Sequence, residues 1–216
     1  MRVDIPGPAG RLEGILDAPR PAEGETSVTF SPRAAVVFAH PLPTEGGTMH
    51  TKAVFQGTKG LVRIGCAVLR FNFRGVGKSE GTFDNGRGER GDFTAALDFM
   101  AARYPGVPLW AAGFSFGSFV ALETGAVDPR VSVLIGIAPP VTRDTYDFAN
   151  TRVSEKAKFL VQGSEDELCP IEGLWAFYGT LPEPKELVVI DGADHLFTGQ
   201  APEVGEALQD LLGDYE

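Results

Sequence analysis

Short apolar runs, rich in β-branched residues, alternate with longer segments of helical periodicity along the 216 residues of this chain. Such alternation is typical of a mostly parallel sheet with helices on both faces. Several of the runs are almost continuously apolar, as strands buried on both faces are. The pattern predicts eight strands, at residues 2–6, 11–18, 34–39, 66–73, 109–114, 131–137, 158–161 and 186–190. It predicts helices at residues 48–64, 88–103, 116–124, 171–179 and 202–212.

The length of the chain limits how many domains it can form. Single hydrophobic cores stop growing at roughly 250–300 residues, and the sequence has neither an internal repeat nor a low-complexity linker. We therefore expect residues 1–216 to form one domain. The proline-rich stretch 19–32 is expected to be a loop between strands, and Gly-Pro-Ala-Gly at 7–10 is a turn signal between the first two strands.

The composition argues against several classes of function. A formal net charge of −10 is unsuited to nucleic-acid binding, because phosphate backbones are held by clustered Lys and Arg. Cys66 and Cys169 are too few for a disulfide framework and match no zinc-site spacing, so we expect a cytoplasmic protein without a metal. No apolar run approaches the roughly 20 residues that cross a bilayer, and no membrane partner is expected.

Two glycine-rich motifs resemble nucleotide-binding loops but lack the required context. Gly77-Lys78-Ser79 has Asn72 at the position, five residues before Gly77, where a phosphate-binding loop needs glycine. Residues 86–91 match G-x-G-x-x-G, yet no predicted strand runs directly into them. We therefore predict no nucleotide and no other cofactor.

A serine motif, Gly113-Phe114-Ser115-Phe116-Gly117, lies between a predicted strand and a predicted helix. The G-x-S-x-G nucleophile motif requires this strand–turn–helix context, which a chance match in a glycine-rich chain would lack. A sharp turn would strain the backbone of Ser115 and leave room only for glycine on either side. It would also place the Phe116 N–H at a helix start, where the N–H can stabilise an oxyanion. Ser115 is predicted to be the nucleophile.

A general base for this serine can be chosen from three histidines, His40, His50 and His195. A serine hydroxyl is a weak nucleophile until an imidazole takes its proton. His195 follows the last predicted strand, and open α/β sheets assemble their sites at the carboxyl ends of strands. His195 is therefore the predicted base, with an ordinary surface histidine as the alternative.

The imidazole in turn needs a carboxylate that fixes its tautomer. Asp166 lies just past the preceding strand, in the pattern Gly-x-x-Asp-x-x-x-Pro. We predict that Asp166 is this carboxylate. The alternatives are four acidic neighbours: Glu165, Glu167, Asp191 and Asp194.

The corner after the third predicted strand reads His40-Pro41-Leu42-Pro43. Proline has no N–H, so within this corner Leu42 alone can donate a backbone hydrogen bond between His40 and Thr44. We predict that the Leu42 N–H is an oxyanion donor together with that of Phe116. His40 is expected to brace the loop, and an ordinary proline-rich turn is the alternative interpretation.

Together these residues resemble the α/β-hydrolase superfamily, specifically its small uncapped bacterial members related to dienelactone-hydrolase-like and esterase-like enzymes. The resemblance extends over nearly the whole chain and is carried by FNFRGVGKSEG at 71–81, GFSFG at 113–117, GSEDELCP at 163–170 and GADHLF at 192–197. The chain order Ser, Asp, His is that of the superfamily. The resemblance implies an α/β-hydrolase fold with a mostly parallel sheet of about eight strands.

This chain departs from other members of the superfamily in its site residues, and from the capped members in the length of one connection. Many of them carry a histidine where it has Leu42, and another where it has Gln162. Dienelactone hydrolases proper use a cysteine nucleophile, so Ser115 argues against that activity. Only roughly twenty residues separate the strands near 137 and 158, too few for the cap domain that related enzymes insert there.

We therefore expect an open site that hydrolyses small-molecule carboxylic esters through an acyl-enzyme, with a preference for short acyl groups. Phe114, Tyr146 and Phe148 are expected to line the acyl pocket. A thioesterase, amidase or peptidase could use the same three residues, and a non-enzymatic binding protein could keep the fold. The protein is expected to be a monomer or a homodimer.

Overall fold

The computed structural model describes residues 1–19 and 31–215. Its eight strands form one sheet in the order β1-β2-β4-β3-β5-β6-β7-β8. The strands are β1 (Arg2–Gly7), β2 (Gly10–Asp17), β3 (Ala35–Ala39), β4 (Ala67–Phe71), β5 (Leu109–Phe114), β6 (Val131–Ile137), β7 (Ala157–Gly163) and β8 (Lys185–Ile190). The first two are antiparallel to each other, β2 is antiparallel to β4, and all other pairs are parallel. The prediction of a mostly parallel, eight-stranded sheet is confirmed.

Helices cover both faces of this sheet, as the alternating pattern predicts. They are α1 (Lys52–Arg63), α2 (Arg87–Arg103), α3 (Phe116–Val127), α4 (Ala149–Val153), α5 (Ile171–Thr180) and α6 (Ala201–Gly213). Successive side chains of a strand point to opposite faces. Val36 therefore packs in the same core layer as Leu61 of α1 and Leu208 of α6, whereas Val37 packs in the layer of Leu97 of α2.

The differences from the predicted elements are local. Helix α1 begins at Lys52 rather than at 48, because Thr48 and Thr51 form a turn in which the Thr51 N–H donates to the Thr48 carbonyl (2.9 Å). The short helix α4 was not predicted, since five residues are too few for a periodic apolar pattern. Most of the proline-rich stretch predicted as a loop, residues 20–30, lies outside the described residues.

The connections at the carboxyl ends of the parallel strands place the predicted site residues at one edge of the sheet. Leu42 follows β3, Ser115 follows β5, Asp166 follows β7 and His195 follows β8. The connection from β6 to β7 contains only α4 and its flanking turns, so no cap domain is inserted there. Within residues 1–19 and 31–215, no helix is both long enough and apolar enough to cross a membrane.

Candidate active site

Ser115 stands on a strained turn between β5 and α3. Its φ of 53° and ψ of −121° lie in a region that non-glycine residues rarely occupy, and its N–H donates to the Ile137 carbonyl (2.8 Å). A Cβ atom at Gly113 would overlap the Gly117 carbonyl, and one at Gly117 would overlap the carbonyl of His40. Backbone atoms cannot rotate aside, so both positions require glycine. Such strain is characteristic of functional sites.

The structure brings together the three side chains that the sequence predicts as a triad. Ser115 Oγ lies 2.8 Å from His195 Nε2, and His195 Nδ1 lies 2.8 Å from Asp166 Oδ2. The two ring nitrogens of one imidazole thus face a hydroxyl and a carboxylate. In this arrangement, Nδ1–H donates to the carboxylate and Nε2 is free to accept the serine proton.

The carboxylate of Asp166 is buried, and each of its two oxygens accepts two hydrogen bonds. Its Oδ1 accepts hydrogen bonds from the N–H groups of Leu168 (2.9 Å) and Cys169 (2.8 Å). Its Oδ2 accepts from His195 and from Gln162 Nε2 (2.8 Å). These four donors fix the orientation of the Asp166 carboxylate towards His195.

The acidic alternatives to Asp166 lie elsewhere. Glu165 and Glu167 are exposed, as is Asp191, whose Oδ1 lies 3.4 Å from the Ser164 hydroxyl. Asp194 accepts a hydrogen bond from the Thr198 N–H (2.8 Å), and this bond is the largest cause of its lowered pKa. Among these five acids, Asp166 is the one hydrogen-bonded to His195.

Two backbone N–H groups are available beside the serine hydroxyl. Phe116 is the first residue of α3, where N–H groups have no acceptor within the helix. The Leu42 N–H has no acceptor in the described part of the chain, while the Leu42 carbonyl accepts from the N–H groups of Glu45 and Gly47. Leu42, Ser115 and Phe116 line the same cleft. Both N–H groups thus belong to residues that line the cleft beside Ser115, and the oxyanion role that the sequence predicts for them stays a prediction.

His40 is buried and holds the corner that carries Leu42. Its Nε2 accepts a hydrogen bond from the Phe73 N–H (3.1 Å), so the proton must lie on Nδ1, which donates to the Pro41 carbonyl (2.7 Å). Desolvation by burial lowers the pKa of His40 to about 4, because the charged form loses its hydration. His40 is therefore neutral at pH 7 and braces the corner.

The cleft above the serine has a volume of about 410 Å³, within the range of small-molecule sites. Most of its wall is apolar, and two charged residues also reach it. Its lining consists of Pro41, Leu42, Glu45, Gly47, Ser115, Phe116, Pro140, Arg143, Tyr146, Leu168, His195 and Leu196. Tyr146 lies in the cleft as predicted.

The predictions that Phe114 and Phe148 line the pocket are wrong. Phe114 points from β5 into the core, where its ring packs 5.5 Å from the His195 ring and 6.1 Å from that of Phe197. Phe148 is buried between Phe119 (5.4 Å) and Phe177 (5.2 Å). Both aromatic side chains are buried in the core, and neither lines the cleft.

Several residues at the site were not singled out from the sequence. Leu168 and Leu196 line the cleft because they lie two residues after Asp166 and one after His195. Gln162 is a buried polar residue of β7, and its contact with Asp166 was not predicted. A polar residue in a buried strand is a signal that could have pointed to this contact. Over the described ranges, no group of three or more His, Cys, Asp or Glu residues could hold a metal ion.

The chain matches a family model described as Serine aminopeptidase, S33, over residues 31–159. It is 36% identical over 214 residues to the uncharacterized protein RP471 of Rickettsia prowazekii, covering 95% of this chain and 86% of the relative. Among solved structures, an alpha-beta serine hydrolase homologue from Coxiella burnetii is 36% identical, with a TM-score of 0.88 over 98% of this chain and 97% of that one. A serine hydrolase without lid from Xanthomonas campestris is 35% identical, with a TM-score of 0.86 over 97% and 92% of the two chains.

Proposed function

Because this chain belongs to the lid-less α/β serine hydrolases and to the Serine aminopeptidase, S33, family, we propose that it hydrolyses small carboxylic esters with Ser115 as nucleophile. The observation that supports this proposal best is the continuous hydrogen-bonded path from Ser115 Oγ through His195 to Asp166, with both distances at 2.8 Å. Ser115 and His195 line a cleft to which Leu42 and Phe116, the residues of the two proposed oxyanion donors, also contribute.

In the first half of the reaction, Ser115 Oγ attacks the ester carbonyl carbon while its proton passes to His195 Nε2. The negative charge that forms on the carbonyl oxygen is stabilised by the N–H groups of Leu42 and Phe116. When the tetrahedral intermediate collapses, the bond to the alcohol oxygen breaks. His195 then returns the proton to the departing alcohol, and the acyl group remains bound to Ser115.

In the second half, water replaces the alcohol and follows the same route in reverse. His195 takes a proton from the water while the water oxygen attacks the acyl carbon, and it gives that proton to Ser115 Oγ when the bond between Oγ and the acyl carbon breaks, which releases the carboxylic acid. Asp166 holds the ring of His195 in one tautomer and stabilises the imidazolium that forms in each half. Its two oxygens together accept hydrogen bonds from four donors, which fix the orientation of the carboxylate.

The cleft favours an apolar acyl group of modest size. Leu42, Tyr146, Leu168 and Leu196 provide apolar surface around Ser115, and the β6–β7 connection adds no domain that could enclose a long chain. Short-chain acyl esters are the proposed substrates, with no cofactor taking part in the reaction.

A peptidase that removes N-terminal residues is the second candidate. The description of the matching family favours it. The carboxylate of Glu45, which lines the cleft, could pair with the ammonium group of a peptide N-terminus. The two candidates share the chemistry at Ser115 and differ in the leaving group.

A labelling experiment followed by a substrate panel tests the proposal. A fluorophosphonate probe is expected to label the wild-type protein, and Ser115→Ala serves as the unlabelled control. We then expect turnover of p-nitrophenyl esters to exceed turnover of acyl thioesters and of aminoacyl p-nitroanilides. Faster cleavage of the anilides would favour the peptidase. A wild-type protein that is neither labelled nor active on the panel would indicate a non-enzymatic binding protein.

A further inference from the structure

One side of the cleft is formed by a stretch between β6 and β7, here called the wall segment (residues 139–153). It supplies Pro140, Arg143 and Tyr146 to the cleft lining. The backbone hydrogen bonds within its first half are those of local turns, in which the N–H groups of Val141, Arg143 and Tyr146 donate to the carbonyls of Pro139, Pro140 and Arg143, respectively. No strand pairing fixes these residues, so side-chain contacts must hold the segment in place.

The beginning of the wall segment is tied to the loop that carries Asp166. The Cys169 thiol donates to the Pro139 carbonyl (2.8 Å). Burial raises the pKa of this thiol to about 11, so the thiol keeps its proton and remains a donor at neutral pH. This contact holds the segment where it leaves β6.

The other end of the wall segment is held by the carboxylate of Glu123, a buried residue of α3. Its Oε1 accepts from the N–H and the hydroxyl of Thr151 (2.8 and 2.7 Å), and its Oε2 accepts from the N–H and the side-chain amide of Asn150 (3.3 and 3.0 Å). The donors lie in the first turn of α4, where backbone N–H groups lack helical acceptors. Buried carboxylates are rarely left without partners, and here all the partners come from the wall segment.

The same face of α3 also carries the aromatic rings on which the wall segment rests. Phe116, Phe119 and Glu123 recur at helical spacing. The ring of Tyr146 lies 4.7 Å from the Phe119 ring and 6.0 Å from the Phe116 ring, measured between centroids. Helix α3 therefore holds the wall segment at two places. It contacts Tyr146 through the aromatic rings and, four residues later, Asn150 through Glu123.

We propose that Glu123 is a positioning residue for acyl-chain selectivity, acting through Tyr146. With α4 anchored, the half-buried Tyr146 ring is held against Phe119 and offers a fixed apolar surface to an acyl chain. Without the anchor, that surface would be mobile and binding would have to order it. An acetyl group is too short to need this surface, whereas a longer acyl chain depends on it. The inference rests on the proposed esterase function and specifies how that site selects its substrate.

The substitution Glu123→Gln tests the anchor with little change in shape. A glutamine side chain puts its NH₂ group where one pair of α4 donors now finds an oxygen, so these donors lose their acceptor. We expect kcat/KM for p-nitrophenyl hexanoate to fall about tenfold relative to that for p-nitrophenyl acetate, mainly through KM. The rate at which a fluorophosphonate labels Ser115 should stay at the wild-type value. Glu206→Gln, the same change at an exposed position on α6, is the matched control and should leave both esters unaffected.

A double-mutant cycle distinguishes an effect of Glu123 that is transmitted through Tyr146 from a general loosening of the wall segment. Tyr146→Ala alone should lower the hexanoate-to-acetate ratio, and adding Glu123→Gln to it should lower the ratio no further. Two outcomes would overturn the inference: an unchanged ratio in Glu123→Gln, or losses in the two variants that simply add. Equal losses for both esters would also contradict a role in acyl selection.

A second variant covers the case in which Glu123→Gln does not fold. Asn150→Ala removes one of the four contacts of Glu123, the one from the side-chain amide, and keeps those from the backbone N–H of residue 150 and from Thr151. It should shift the ratio in the same direction by a smaller factor. If Asn150→Ala folds and shows the wild-type ratio, the inference is wrong. Absence of labelling and of acetate hydrolysis in the wild-type protein would instead refute the proposed function, and this inference with it.

Discussion

Gln162 Nε2 donates a hydrogen bond of 2.8 Å to Asp166 Oδ2, the same oxygen that accepts from His195 Nδ1. The same amide nitrogen also donates to the Cys169 carbonyl (2.7 Å), so Gln162 contacts the loop that carries Asp166 at two points. A glutamine within β7 thus orients the carboxylate that in turn orients the histidine.

Replacing Gln162 should lower both the free energy of unfolding and kcat, although it removes no contact with the substrate. In Gln162→Leu, Asp166 Oδ2 and the Cys169 carbonyl each lose a donor, which is expected to lower the free energy of unfolding by about 1–3 kcal/mol. We expect kcat to fall about tenfold, with little change in KM. Gln162→Glu should be worse in both respects, because a second carboxylate would face Asp166 in a buried position. Urea unfolding and ester kinetics measure both effects, and a Gln162→Glu variant as stable and active as the wild type would contradict them.

Removing the nucleophile should abolish turnover and preserve the fold. For Ser115→Ala we expect kcat on p-nitrophenyl acetate to fall by about 10⁴ to 10⁶. The backbone strain at residue 115 does not depend on the hydroxyl, so the thermal midpoint should change little. Steady-state kinetics and circular dichroism are sufficient, and activity close to that of the wild type would identify another nucleophile.

The oxyanion role of Leu42 can be tested by deleting a single N–H group. The φ of Leu42 is −53°, within the range that a proline ring imposes, so Leu42→Pro removes the donor with little backbone strain. We expect kcat to fall by about 10² to 10³, the usual cost of losing one oxyanion donor. Leu42→Ala is the control, because it shortens the side chain but keeps the N–H. Similar kcat values for the two variants would exclude the role.

Stability should decrease in mild acid because of His40. Its pKa in the folded protein, about 4, lies below the ordinary value of 6.5, so the unfolded chain binds the proton more readily. The stabilisation is complete above pH 6.5 and is lost as the pH falls towards 4, by on the order of 3 kcal/mol. Urea unfolding at pH 7 and pH 4.5 measures the loss, which should be smaller in His40→Gln. His50→Gln, at an exposed histidine, should keep the wild-type pH dependence.

The turn around Ser115 should not tolerate a methyl group at residue 117. A Cβ there would meet the carbonyl groups of Ala39 and His40, and backbone atoms cannot rotate away. We expect Gly117→Ala to lower the free energy of unfolding by about 3 kcal/mol. Gly179→Ala is the matched control, since no atom lies within 4 Å of its added Cβ and alanine favours a helix. Chemical denaturation of both variants is the measurement, with equal stability as the contrary result.

The sequence was sufficient to predict the eight strands, because each is a local run of apolar residues and each carries its own signal. The same holds for Ser115, whose flanking glycines mark the turn. His195 and Asp166 could be placed at the carboxyl ends of β8 and β7, although their contact depends on strand order, which no local pattern specifies. That these residues catalyse a reaction is still a prediction.

What could not be predicted depends on the direction of individual side chains. Phe114 and Phe148 are apolar neighbours of the site in the chain, and composition cannot distinguish a ring that faces a cleft from one that packs beneath it. Helix α4 is too short to show periodicity, and Glu123, which holds it, lies more than twenty residues away in the chain. Contacts between distant segments determine both features.

The sheet order has a consequence for the newly made chain. The strands that precede Asp166 and His195, β7 and β8, leave the ribosome after β5, which precedes Ser115, and they are added at one side of the sheet. Until β8 joins that side, the serine hydroxyl has no proton acceptor. If Ser115 is the nucleophile, a nascent chain that exposes it among cellular esters is expected to stay inert until the segment that carries His195 has been made and has joined the sheet.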